Sequence, residues 1–222
     1  MYQRQTLALT LCTLLISVLV AVPLGVIAAA RAGSWTDRAV MAFSVLGFSL
    51  PVFVFAYILI SVFSIELGWL PVQGYRNFGE NSFWDWLRHL ILPSIALGTV
   101  YIALIARMTR ASMLDVLAQD YIRTAQAKGL APVPVLVGHA LKNAAIPIMT
   151  IIGIGIALLI SGAIVTETVF AIPGIGRLTV DAILRRDYPV IQGVTLLFSA
   201  IYVVINLMVD LSYMLFDPRI RY

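Results

Sequence analysis

Few side chains in this 222-residue sequence could do covalent or metal chemistry, and they are scattered. The chain has two histidines, His89 and His139, and one cysteine, Cys12. Zinc needs three or four clustered ligands, and two separated histidines without a cysteine cluster supply no such set. Gly47-Phe-Ser49-Leu-Pro51 half resembles a nucleophile elbow, but the second glycine of G-x-S-x-G is missing. A nucleophilic serine also needs a base within hydrogen-bond reach, and both histidines fall in or beside loops. Ser49, just ahead of Pro51, reads better as a hydroxyl that satisfies backbone groups at a helix kink. No G-x-x-x-x-G-K-[ST] run is present, so no P-loop is expected. Gly153-Ile-Gly155 and Gly174-Ile-Gly176 fail as dinucleotide fingerprints because Leu158 and Thr179 stand where the third glycine belongs. They read as close helix packing and a turn. The remaining candidate is Asp210, four residues after Asn206 and so on the same helical face. A carboxylate inside an apolar run is a functional candidate by default. Its structural alternative is a pair with Arg107 or Arg110.

The elements that must position these residues follow from composition. The chain is 61% hydrophobic and only 12% charged, with a mean hydropathy of +0.96. Soluble domains carry about 25% charged residues, so a water-soluble enzyme, a disordered chain and a secreted disulfide scaffold are excluded. Apolar runs cover residues 6–30, 39–65, 90–106, 143–166 and 189–216. A spanning helix needs about 20 apolar residues. In hydrocarbon every peptide group must be paired within its own segment, so these runs predict five transmembrane helices in an all-α integral membrane protein. The alternation of a β-barrel strand is absent. The net charge of +4 is read as basic loops at a membrane surface, with lipid and not nucleic acid as the partner.

An odd number of spans places the two ends on opposite sides. Arg31, Arg38, Arg107, Arg110, Arg123, Lys128, Lys142, Arg219 and Arg221 fall on one side. Arg4, Arg76, Arg88, Arg177, Arg185 and Arg186 fall on the other. The positive-inside bias therefore puts the 107–142 loop and the C-terminus in the cytoplasm. The loop at 66–89 carries Trp69, Tyr75, Trp84 and Trp86, aromatic residues suited to a membrane boundary. The loop at 167–188 opens towards Pro173-Gly174-Ile175-Gly176 and predicts a short amphipathic helix, with Leu178, Ala182 and Ile183 opposite Arg177, Asp181 and Arg185.

The 107–142 loop is unlike the rest. Met108, Ala111, Met113 and Leu114 have the spacing of one helical face, so the third span is expected to run on into the cytoplasm. Asp120 is a plausible N-cap, Lys128 sits in a last turn and Gly129 is a C-terminal stop, which predicts a helix of about two turns. Ala131-Pro132-Val133-Pro134 breaks the chain before a further helix from Val135 leads into the next span. A short helix held along the membrane surface, with no lipid to enter and no domain of its own, suits docking to another protein.

These residues resemble a known family. Arg123-Thr124-Ala125-Gln126-Ala127-Lys128-Gly129-Leu130, followed by His139-Ala140-Leu141, is similar to the cytoplasmic signature of binding-protein-dependent ABC permeases. Gly33-Ser34-Trp35-x-Asp37-Arg38, Ser49-Leu50-Pro51-Val52-Phe53, Leu67-Gly68-Trp69-Leu70-Pro71, Glu167-Thr168-Val169-Phe170, Pro173-Gly174-Ile175-Gly176 and Asp217-Pro218-Arg219 extend the resemblance over essentially the whole chain. They point to the B-type subunit of the dipeptide, oligopeptide and nickel branch. The resemblance implies a MetI-like permease of the type I importer class, in the inner membrane of a prokaryote. It implies an ATPase-docking role for Arg123, Thr124, Ala125, Lys128, Gly129, Leu130, His139 and Leu141, with Ser49, Pro51, Asn206 and Asp210 as pathway candidates. The implied partners are a second permease subunit, two cytoplasmic ABC ATPases and an extracytoplasmic substrate-binding protein. ATP and magnesium belong to the ATPase subunits, and this chain is expected to bind no cofactor and to catalyse no reaction. Members of the family have six spans, and the helix and external segment that precede the region matching Thr6 are expected to be missing here.

Two other readings of the residues stand beside this one. One is an ion-coupled secondary transporter using Asp210, and the other is an intramembrane serine hydrolase using Ser49. On the charge-based topology, a reporter fused at Tyr222 will read cytoplasmic and one inserted near Gly79 external. The opposite pattern in a reporter-fusion assay would overturn the orientation.

Overall fold

A computed structural model describes residues 2–76 and 82–216, without the side chains at 157, 160, 161 and 212–216. The reporter position Gly79, the Asp217-Pro218-Arg219 motif and Tyr222 lie outside the described residues. All regular elements among the described residues are helical. They are α1 (Tyr2–Ala30), α2 (Trp35–Ser49), α3 (Val52–Leu59), α4 (Phe83–Leu117), α5 (Asp120–Ala127), α6 (Lys142–Val169), α7 (Ile175–Arg185) and α8 (Tyr188–Phe216). Two π-helical stretches, Ile60–Glu66 and Pro134–Leu141, continue α3 and lead into α6. Four helices are long and apolar enough to cross a membrane, and five if the bent pair formed by Trp35–Ser49 and Val52–Glu66 is one span.

The kink expected at Ser49–Pro51 is present, and it is sharp enough to divide the 39–65 run into two helices. The two halves meet at 105°. Pro51 has no N–H to continue the ladder and biases Leu50 away from helical geometry, and Leu50 is extended, with ψ of 128°. Ser49 donates its hydroxyl to the Val45 carbonyl at 2.8 Å, the same one-turn bond that Ser44 and Thr99 make within their helices. The third span runs on as a helix into the 107–142 loop, as expected, and differs from expectation at its other end, where α4 begins at Phe83 and not near residue 90. The helix after that loop begins near Pro132, where a missing N–H costs nothing.

The centre of the fold is α1 packed along α4. α1 turns a run of small and hydroxyl residues inward: Thr6, Thr10, Thr13, Ser17, Ala21 and Gly25 are all buried or lie on that face. Small residues let two helix backbones approach closely, which substitutes for the hydrophobic drive that lipid removes. A Cβ on Gly25 would come within 2.5 Å of Thr109 Cβ and 2.7 Å of the Ala106 carbonyl. Ser17 donates to the Gly98 carbonyl at 3.4 Å, while the buried hydroxyls of Thr10, Thr13, Ser94 and Thr109 have no partner among the described residues. α6 lies against both α4 and α1, and α8 against α6, where a Cβ on Gly153 would clash with Val209 Cγ2. Gly153 is therefore a packing glycine, as the sequence suggested.

The α1–α4 seam makes one pair of glycines behave oppositely. Gly25→Ala places a methyl against backbone and is expected to destabilise by about 1–3 kcal/mol. Gly193→Ala, on α8 with open space around it, is expected to stabilise by about 1 kcal/mol through helix propensity alone. Melting temperatures of the two variants in one detergent should move in opposite directions. A Gly25→Ala protein as stable as its parent would refute the close approach.

Candidate functional site

The candidate docking element is α5 with its flanks. Its N-cap is Gln119, with extended backbone and no side-chain cap. Asp120 is the first helical residue, which corrects its expected role as cap. There the carboxylate favours the positive end of the helix and meets Arg123 at 3.5 Å, an exposed pair worth little. The C-terminus closes as the spacing suggested. The amide of Gly129 donates to the Gln126 carbonyl at 2.9 Å and that of Leu130 to the Ala125 carbonyl at 3.4 Å. This is a Schellman closure, and it needs the left-handed φ of +79° that Gly129 supplies.

α5 is anchored on one face and open on the other. Ile122 is fully buried and Ala125 nearly so, in a cluster with Ala29 of α1, Met113 of α4, Val135, Ala140, and Ala144 and Ile148 of α6. Ala125 therefore holds the helix to the molecule and does not face outward. Leu141 is half-buried beside the same cluster. Arg123, Thr124, Lys128, Gly129, Leu130 and His139 are exposed. Thr124 donates back to the Asp120 carbonyl at 3.0 Å, and the His139 carbonyl accepts from Asn143 at 2.7 Å. Tyr121, Val133 and Val137 add exposed apolar surface that motif matching did not single out.

The pathway candidates separate. Ser49 and Pro51 sit at the bend of the α2–α3 unit, which packs on α4. Asn206 and Asp210 lie on α8, which packs on α6 and α7. Asp210 is exposed and Asn206 half-buried. The expected pairing of Asp210 with Arg110 is corrected. Arg110 makes a bidentate bond to the buried Asp37 of α2, at 2.5 and 2.7 Å, and Gly33 N–H donates to the same carboxylate at 2.9 Å. The pair brings the Arg31–Arg38 turn to the same end of the molecule as the docking loop. At that end a groove of about 490 Å³ opens between α2 and α4, with Ser44, Phe48, Leu104 and Arg107 among its lining. For the hydrolase reading, Ser49 Oγ is committed to Val45, and His89 Nδ1 lies 2.7 Å from the Asp85 carbonyl. No cluster of metal-ligating side chains occurs among the described residues.

The buried acid that sequence reasoning missed is Glu167, near the C-terminus of α6 and wholly inaccessible. Thr6 Oγ1 donates to its Oε1 at 2.6 Å, and the backbone amides of Arg177 and Gly176 donate to the carboxylate, the former at 3.1 Å. Ile175 N–H donates to Thr6 Oγ1 at 2.8 Å. Glu167 thus caps the N-terminus of α7 from another helix. Gly174, the N-cap position, has no side chain to do so. A Cβ on Gly174 would lie 2.2 Å from the carboxyl, and one on Gly176 would lie 2.6 Å from Ile164 Cα. Two glycines shortly downstream of a glutamate were the available signal, because they leave room for its carboxylate. In α7 itself Ala182 faces inward as expected, but Ile183 and Leu184 are exposed.

The family model of the binding-protein-dependent transport system inner membrane component matches residues 21–222. A probable peptide ABC transporter permease of Sinorhizobium fredii is 56% identical over 98% of this chain and 69% of its own length. A di/tripeptide transport system permease protein, DppB, of Pseudomonas aeruginosa is 45% identical over 98% of this chain and 70% of its own. The dipeptide permease DppB of Escherichia coli is 42% identical over 99% and 71%. Among solved structures, a chain of the inward-facing MetNI methionine ABC transporter superposes with a TM-score of 0.76 at 19% identity, covering 96% of this chain and 93% of that one. This second likeness concerns the fold, which is the MetI-like permease fold. The chain belongs to the binding-protein-dependent transport system inner membrane components: it is a multi-pass permease subunit of an ABC importer, and not an enzyme.

Proposed function

We propose that the chain forms part of the translocation pathway for di- or oligopeptides, together with a second, similar permease subunit. In this reading an extracytoplasmic binding protein delivers the peptide, and two cytoplasmic ATPases dock on α5 and its flanks. The observation that carries the substrate class is the 42–56% identity to relatives named for peptide or dipeptide transport. The docking role rests on the division of α5 into a buried face, Ile122 and Ala125, and an exposed face with Arg123, Thr124, Lys128 and Leu130. The buried face joins α5 to α1, α4 and α6, so a push on the exposed face is delivered to three spans at once. The C-terminus and this loop lie in the cytoplasm on the charge argument. Ser49 and Pro51 at the bend, and Asn206 and Asp210 on α8, are the proposed pathway positions.

The test is a reconstituted complex of both permeases, the ATPases and the binding protein, assayed for peptide uptake. Uptake will require ATP and will persist when ion gradients are collapsed. Dependence on a gradient in place of ATP would establish the secondary-transporter reading. Gly129→Asp adds a Cβ at a left-handed position, costing about 1–2 kcal/mol, and puts a charge at the end of the docking helix. It will leave the membrane helices assembled and lower uptake by roughly tenfold, within the range expected for coupling between sites. Lys128→Ala removes only an exposed charge and will change uptake little. Normal uptake by Gly129→Asp would show that this loop is not the coupling element.

A further inference from the structure

We infer that Glu167 is the positioning residue that makes α7 move as one body with α1 and α6, so that the state of the docking loop is carried to the opposite end of the molecule. The inference rests on the transport reading above, but its geometry does not. Glu167 closes two helices at once. Its carbonyl accepts from Ile172 N–H at 2.9 Å and ends α6, while its carboxylate accepts from the first amides of α7 and from Thr6 of α1. Thr6 accepts in turn from Ile175, so α1, α6 and α7 meet in one hydrogen-bonded knot around the buried Glu167. The loop after the π-helical stretch is fastened to the same place: Gly74 N–H donates to the Phe170 carbonyl at 2.9 Å, and Gln73 to the Val169 carbonyl at 3.2 Å.

The two helices that carry this knot also carry the docking cluster. Ala29 of α1 and Ala144 of α6 both pack with Ile122 and Ala125. Thr6 to Ala29, and Glu167 to Ala144, each span about 35 Å at 1.5 Å per residue. α1 and α6 thus run between the docking cluster and the Glu167 knot. α7 has no side-chain cap of its own, and its remaining tethers are its packing on α1, α6 and α8. Removing the carboxylate takes away the bonds that join the first turn of α7 to α6 and the Thr6–Glu167 bond that joins α1 to α6, and leaves the Ile175–Thr6 bond as the remaining polar link to α1.

The experiment places spin labels on Leu184→Cys of α7 and Leu11→Cys of α1, both exposed, in a Cys12→Ser background within the assembled complex. The parent will give one narrow distance distribution, the same with and without ATP. Glu167→Ala will broaden it or make it nucleotide-dependent. It will lower peptide uptake per ATP hydrolysed by roughly tenfold, with ATPase activity retained, a loss in the usual range for inter-site coupling. Glu167→Gln retains an acceptor for the α7 amides and can donate to Thr6 Oγ1, whose hydroxyl turns to the Tyr2 carbonyl at 3.5 Å. It will therefore stay near the parent in both readouts. Should Glu167→Ala fail to assemble, Thr6→Val removes the α1 arm of the knot and will broaden the same distribution. An unchanged distance in Glu167→Ala or Thr6→Val overturns the inference. So does a Glu167→Gln protein that keeps the narrow distance and loses uptake, since the charge would then matter and the position would not. ATP-independent uptake by the parent complex would refute the transport reading while leaving the label distances to judge the knot.

Discussion

A peptide group inside a bilayer has no water to bond to, and this constraint shapes the chain more than any single contact does. Within the spans it is met by helix. It becomes demanding where a helix stops or bends, because each helix end leaves up to four amides or carbonyls without a partner. The features that distinguish this fold occur at those places. The end of α2 is closed by the Leu50 amide on the Leu46 carbonyl, the end of α5 by the left-handed Gly129, and the end of α6 by the turn at 170–172 together with the 73–74 loop.

The α6 terminus shows how a backbone requirement becomes a tertiary one. The carbonyls of Thr166, Glu167 and Thr168 accept from Phe170, Ile172 and Ala171, with Ala171 in the left-handed region at a φ of +52°. Val169 and Phe170 accept from Gln73 and Gly74. The α7 amides that follow are taken by the Glu167 carboxylate. These bonds are buried, and burial raises the cost of losing one. The carboxylate occupies the space a side chain at Gly174 would need, and the α6 backbone at Ile164 with the carboxylate the space one at Gly176 would need. Glu167 and the Pro173-Gly174-Ile175-Gly176 turn are therefore one structural device, although they read as separate motifs along the chain.

The extent to which this was legible in the sequence follows from the physics of each feature. The all-helical membrane class needed only hydropathy and length. The α5 stop could be read because Gly129 is a local backbone requirement. Pro51 announced a break, but its 105° angle depends on how α2 and α3 each pack on α4, and no local residue encodes that. The search for a buried acid went to Asp210, which sits within a long apolar run, and passed over Glu167, which borders a polar loop. Sequence hydropathy averages over neighbours, whereas burial depends on which helices converge. The Asp37–Arg110 pair was hidden for the same reason: its partners are 73 residues apart. Local chemistry was readable, and convergence of distant segments was not.

The division of α5 bears on how such a surface is recognised. Arg123 and Lys128 are exposed, and exposed ion pairs contribute only about 0–1 kcal/mol each. Charge at these positions serves register and association rate more than affinity. The apolar groups at the same surface, Tyr121, Leu130, Val133 and Val137, are exposed in this chain and have no structural role that requires it. Interfaces draw most of their energy from a few buried aromatic and aliphatic anchors. In the proposed complex these four residues would supply the affinity for the ATPase, and the buried Ile122 would transmit its movement. A substitution on the outer face would then alter how tightly the partner is held, while one at Ile122 would alter what the held partner can move. The two effects separate because Ile122 is buried, whereas the four anchors, on α5 and the segment that follows it, are exposed.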